Sequence, residues 1–178
     1  MKSKILHFLI VFILVPFCSF TQERNVLVNT DWNNQRHEWE ASWITHPDAS
    51  VFDYGVFHFR NTFELETTKD SVILYVSADN RYRFFVNGTE VSYGPARGTL
   101  EHWRYETINI APFLKNGKNT IAAEVFNLGE HRPVAQLSHK TAFILQAEGA
   151  IGEKLNTGNS QWKVKQNHSY KAIEVTRA

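Results

Sequence analysis

The chain reads as all-β, a jelly-roll-like sandwich of two packed sheets, and three observations point there. Val86 and Val91 flank Asn87-Gly88, and Tyr82, Phe84 and Val86 alternate ahead of that pair. An Asn-Gly pair between alternating apolar residues signals a hairpin, because a type I′ turn needs positive φ at both central residues. Short apolar-alternating runs recur at regular spacing, seven or so in all, as in sandwiches and barrels. Beyond the N-terminal segment, no stretch holds a helical period over three turns. The apolar fraction of 43% is enough for a core, and the aromatic fraction of 13% favours strands, where rings pack on a pleated surface.

Taken in order, the chain begins with Lys2 and Lys4, an apolar run over residues 5–17 and a polar or small stretch over 19–22. This is the layout of a secretory signal peptide, expected to occupy residues 1–21. The run falls short of the roughly 20 residues that span a bilayer. Cys18, the one cysteine, offers a competing reading as a lipid-bearing residue, although Phe17 stands where a small residue would be wanted. Either way the mature domain has no disulfide. Residues 22–40 read as an extended polar lead-in, 41–168 as the sandwich and 169–178 as a tail leading to a further module.

Within 41–168, residues 56–65 alternate Val56, His58 and Arg60 against Phe57 and Phe59. Residues 71–77 alternate at Val72, Leu74 and Val76. The hairpin follows, then a breaker cluster from Gly94 to Gly98. Residues 105–110 form a strand, and 111–119 a short helical turn ended by Gly117. Residues 120–127 form a strand, 128–138 a polar loop, and 141–146 and 161–165 the last strands. Without residues 1–21 the basic residues lose Lys2 and Lys4 and the acidic ones lose none, so the charge is near zero. That argues against nucleic acid, which needs a clustered basic face.

Several of these segments together resemble a known family. Trp43-Ile44, Tyr54-Gly55, Val56 to Arg60, Ser77-Ala-Asp-Asn-Arg-Tyr82, Val86-Asn-Gly88, Gly94-Pro-Ala-Arg-Gly98, His102-Trp103 and Ala123 to Glu130 are similar to the N-terminal β-sandwich domain of bacterial α-L-rhamnosidases. The hairpin alone is generic and recurs in galactose-binding-like sandwiches of other glycoside hydrolases. The resemblance implies an exported accessory domain, periplasmic, extracellular or at the cell surface. It would sit beside a catalytic (α/α)6 barrel, on another stretch of polypeptide, that acts on rhamnose-containing glycans. The family's catalytic acid and base match no position here. A free-standing carbohydrate-binding module and an inactive fragment of a split gene are the alternatives, and a hydrolase complete in this chain is a third.

Glycoside hydrolysis ordinarily uses two carboxyl groups flanking the bond. Asp79, Glu101, Glu124 and Glu130 are the candidates, with Asp79 and Glu130 in loops that converge if they share one end of the sandwich. The competing reading gives Asp79 turn chemistry of the Asx kind. For sugar recognition, Asp79, Asn80 and Arg81 offer planar polar groups for hydroxyl pairs. Trp103, Tyr93 and Tyr82 offer ring platforms. Arg97 is expected either to pair with a carboxylate such as Glu130 or to reach a neighbouring domain. The expected glycan face is thus Asp79, Asn80, Arg81, Arg97, Trp103 and Glu130. The histidines show no metal spacing and no cofactor is implied; calcium held by oxygens of the Asp-Asn loops is the weaker option. Asn87-Gly-Thr89 and Asn167-His-Ser169 match the glycosylation sequon, though the turn explains Asn87.

Overall fold

The computed structural model describes residues 38–158 and 161–173. The expected signal peptide, Cys18, most of the lead-in and the last residues of the tail lie outside them. Eight strands run in chain order: β1 (Gly55–Leu65), β2 (Ile73–Asp79), β3 (Arg81–Val86), β4 (Thr89–Gly94), β5 (Glu106–Asn109), β6 (Gly117–Asn127), β7 (Ala142–Ala147) and β8 (Lys163–Gln166). They form a five-stranded sheet ordered β4-β3-β6-β1-β8 and a three-stranded sheet ordered β5-β2-β7. All pairings are antiparallel. Only the β3–β4 hairpin stays within one sheet; each other connection passes to the opposite sheet. The sandwich expected from the sequence is the one observed.

Strict alternation builds the core. Phe57, Phe59, Phe63 and Leu65 of β1 point inward while His58, Arg60 and Glu64 face solvent. Leu74, Val76 and Ala78 of β2 meet Tyr82, Phe84 and Val86 of β3 inside the same cluster. Phe143 of β7, fully buried, lies against Phe59 at 5.4 Å, Tyr82 at 6.4 Å and Trp162 at 5.4 Å, so one ring ties both sheets together. The hairpin turn has Asn87 at φ 49° and Gly88 at φ 86°, the two positive values a type I′ turn requires.

Two details differ from the sequence reading. The helical turn is only the 3₁₀ segment Ala111–Phe113, and Gly117 at φ 81° opens β6 rather than closing a helix. Buried Asn119 organises that corner. Its amide donates to the carbonyls of Lys115 and Gly117 and accepts from the Lys115 N–H and the Asn87 amide. Between β7 and β8, a 3₁₀ turn (Gly149–Ile151) and a one-turn helix α1 (Gly152–Leu155) bury Ile151 and Leu155 under the sandwich. Trp162 closes this cap by donating its indole N–H to the Leu155 carbonyl at 2.9 Å.

The described end of the lead-in, residues 38–40, already makes contacts with the sandwich. Gln146 of β7 accepts the N–H groups of Glu40 and Ala41 and donates to the Glu38 carbonyl. This segment crosses the outer face of the three-stranded sheet. There Trp39, Tyr105 and Tyr75 make successive edge-to-face contacts at 5.6 and 5.7 Å.

Candidate functional site

The link from β2 to β3 carries the chain across the sandwich in one step, so Asp79, Asn80 and Arg81 stand together at one end of the molecule. Asp79 and Asn80 are buried. One Asp79 carboxylate oxygen accepts from the Asn80 amide and the Ser138 hydroxyl at 2.6 and 2.8 Å. The other accepts the backbone N–H groups of His139 and Lys140 at 2.6 and 2.8 Å. Asn80 accepts the Leu128 N–H at 3.0 Å. These two residues therefore hold both ends of the 128–140 loop. Both side chains are thus engaged within the fold, and beyond the neighbouring Asn80 amide the partners of Asp79 lie about sixty residues onward rather than in a local Asx turn.

Arg81 reaches the surface. Its Nη1 donates to the Pro95 carbonyl at 2.7 Å, its Nε to the Gln136 amide oxygen at 3.4 Å, and its guanidinium lies 6.0 Å from the Tyr93 ring centre. Tyr93 is 55% exposed and sits beside Phe126 at 6.5 Å. The guanidinium has five N–H donors, so donors remain for a ligand above the Tyr93 ring. Tyr82, the other tyrosine offered as a platform, is fully buried against Ser92, and burial pushes its phenol well above the ordinary tyrosine range. It cannot serve as one.

The remaining predicted residues are not gathered here. Arg97 and Glu130 are exposed and form no ion pair with each other; Glu130 Oε1 lies 4.0 Å from His131 Nε2. Glu130 belongs to a 3₁₀ turn (Gly129–His131) pinned by its N–H to the Phe52 carbonyl. Gly129 is obligatory there, because its φ is 57° and a Cβ would strike the backbone of residues 52–54. At Gly98, by contrast, a Cβ would strike the carbonyl of His102. That glycine lets the 95–105 loop fold on itself, rather than letting backbone approach a ligand. Trp103 packs edge-on to Trp43 at 6.3 Å, and its indole N–H is buried without a partner among the described residues.

The four candidate carboxylates fall in separate places. Asp79 is committed to the 138–140 backbone, Glu130 and Glu101 are exposed on different loops, and Glu124 lies on the outer face of the five-stranded sheet. There Glu124 stands between His58 and Arg83, at 3.5 Å from each, and Arg83 also grips Glu90 at 2.6 Å. Among the described residues, no hydrogen bond or shared cation joins any two of the four. Among the described residues, no group of three or more His, Cys, Asp or Glu side chains converges as a metal site. No described helix is long and apolar enough to cross a membrane.

No protein-family model matches the chain. An α-L-rhamnosidase of Streptomyces avermitilis is 28% identical over 127 residues, covering 69% of this chain and 12% of that enzyme. Among solved structures, a family GH78 rhamnosidase of a Bacillus species superposes with a TM-score of 0.62 and 25% identity, over 73% of this chain and 14% of that one. The α-L-rhamnosidase of Dictyoglumus thermophilum shares the fold, with a TM-score of 0.50 at 16% identity, over 72% of this chain and 17% of that one. The chain is thus similar to a β-sandwich part of the α-L-rhamnosidases of family GH78, and it spans only 12–17% of the length of these three relatives.

Proposed function

We propose that this chain is a non-catalytic, carbohydrate-associated accessory domain, exported from the cell, that works beside glycoside-hydrolase machinery acting on rhamnose-containing glycans. The observation that carries the reading is the match of most of this sandwich to a small share of a GH78 rhamnosidase. The scatter of the carboxylates supports it, because two-carboxylate hydrolysis needs a pair set at a fixed separation. In this reading Arg81 and Tyr93 meet the glycan, the guanidinium taking hydroxyls and the ring taking an apolar sugar face. Asp79 and Asn80 act behind them by fixing the 128–140 loop, whose Gln136 touches Arg81.

The test combines turnover and binding with the purified full chain. No release of nitrophenol from an aryl α-L-rhamnoside is expected, together with calorimetric binding of a rhamnose-containing oligosaccharide. Arg81→Ala or Tyr93→Ala should weaken that binding about tenfold, the size of one lost polar or stacking contact. Hydrolysis that disappears in Glu130→Gln would make the chain an enzyme and overturn the reading.

A further inference from the structure

The strands β1 and β8 place basic side chains opposite one another. Arg60 is in register with Lys163 and His58 with Lys165. Alternation turns residues 58 and 60 to solvent, and directly opposed residues of an antiparallel pair share a face. The result is a two-by-two block of basic side chains on the outer face of the five-stranded sheet. Like charges directly opposed across strands are destabilising. Arg60, Lys163 and Lys165 nevertheless have no side-chain hydrogen bond or ion pair among the described residues. Among the described residues, the carboxylate that meets the block is Glu124, which contacts His58 and is already shared with Arg83.

Two members of the block, His58 and Lys165, line an open cleft of about 430 Å³ together with Gln166 and the turn Asn167-His168-Ser169, and Arg60 and Lys163 stand next to them along the strands. Ligand sites usually measure roughly 300–1,000 Å³. The turn is held open by its own bonds: the Asn167 N–H donates to the Val56 carbonyl, and the Asn167 side-chain oxygen accepts the Ser169 N–H. The Asn167 amide nitrogen lies 3.1 Å from His58 Nε2. Tyrosines border this area: the Tyr54 phenol is raised by burial and then by the nearby Tyr170 and Glu124, and Tyr170 is half-exposed.

We propose that this face is a second glycan-binding site, separate from Arg81 and Tyr93, and that it takes the carboxylate of an acidic sugar, a uronic acid residue within a polysaccharide. Arg60 and Lys165 grip the carboxylate, which Arg does with two parallel hydrogen bonds. The amide of Asn167 and the hydroxyl of Ser169 meet ring hydroxyls, and Tyr170 offers an apolar ring face. An acid-bearing polymer fits better than an anionic membrane, because the cleft has no cluster of apolar anchors. The inference rests on the carbohydrate-associated reading and adds a charge class to it.

The experiment is calorimetry of the full chain with oligogalacturonate, with a neutral glucan oligomer of equal length as control, at low and moderate salt. Binding of the uronate alone is expected, weakened by salt, because the contacts are ionic. Arg60→Ser and Lys165→Ser should each lower affinity about tenfold. Both positions face solvent; should circular dichroism show that Arg60→Ser misfolds, Lys165→Glu on the edge strand reads the same effect. No uronate binding at low salt, or binding unchanged in the variants, overturns the inference. So does equal, variant-sensitive binding to duplex DNA or to phosphatidylserine vesicles, which would make the block a generic polyanion surface. Binding of a neutral rhamno-oligosaccharide that survives while uronate binding fails would remove this site and leave the proposed function standing.

Discussion

The carboxylate of Asp79 accepts the backbone N–H of His139 at 2.6 Å, joining the end of β2 to a loop sixty residues later. The same oxygen takes the Lys140 N–H, and both oxygens are buried with Asp79. Removing this acceptor leaves these part-buried donors without their partner, and each unsatisfied group costs about 1–3 kcal/mol. Asp79→Ala is therefore expected to destabilise the fold by about 3 kcal/mol. Asp79→Asn should recover part of that, since one oxygen survives. Urea denaturation followed by tryptophan fluorescence measures both. Weakened glycan binding by Asp79→Ala with unchanged stability would instead make Asp79 a ligand-contacting residue.

Asn87 serves the turn through its backbone and its side chain alike. At φ 49° it occupies the left-handed region, where most residues are disfavoured. Its side-chain oxygen accepts the Thr120 N–H, while its nitrogen donates to the Phe113 carbonyl and to Asn119. Asn87→Ala should cost about 2–3 kcal/mol, more than Gly88→Ala at about 1–2 kcal/mol, because Gly88 meets open space and an alanine there pays only the strain of its positive φ. The order of the two midpoints in denaturant is the test. The engaged amide also explains why the sequon at Asn87 is turn chemistry: a glycan replaces one of the two amide hydrogens, both of which are already donated.

The hairpin and β1 were legible because their signals are local. Asn-Gly demands a single kind of turn, and the inward phenylalanines of β1 alternate with polar residues one position apart. Gly117 misled because a glycine after a short turn resembles a helix cap, whereas its positive φ here starts a strand. The α1 cap left no period to read, since a four-residue helix shows one turn only. The tie of Asp79 and Asn80 to residues 128–140 was not legible, because sequence spacing does not reveal partners so far along the chain. The basic block of β1 and β8 was invisible for the same reason: Arg60 and Lys163 become neighbours only through strand pairing.

Phe143 is the ring on which both sheets and the Trp162 cap converge. Phe143→Ala would leave a cavity bounded by Phe59, Tyr82 and Trp162, which the stiff sheets cannot collapse to fill. A loss of about 3–5 kcal/mol is expected. Phe143→Leu should cost less, because much of the volume is kept. Because Ile44 pairs with Phe143 through two backbone hydrogen bonds, the alanine variant should also loosen the 38–44 segment. Faster amide exchange at Ile44 would show it, and unchanged exchange would mean that the segment's other ties, to Gln146, Thr157 and the aromatic rings, hold it without the Phe143 side chain.

Tyr75 provides a pH-dependent signature on the outer face of the three-stranded sheet. Its hydroxyl donates to the Glu148 carboxylate, and this bond, followed by burial and by the charge of Glu148, raises the phenol from 10.0 to about 12. The folded state thus holds the phenolic proton more tightly than the unfolded chain does. The stabilisation is complete below about pH 10, falls as the pH climbs from about 10 to about 12, and is gone above that. Ultraviolet titration should show a tyrosinate signal near pH 12 that is absent in Tyr75→Phe. In Glu148→Gln that signal should move down towards 10, because the ionised acceptor that penalised tyrosinate is gone. A signal unmoved by Glu148→Gln would assign the shift to burial instead. The Glu148 bond ties β2 to the turn that opens the α1 cap, so the same variant should lower the denaturant midpoint below pH 10 and leave it unchanged above about pH 12.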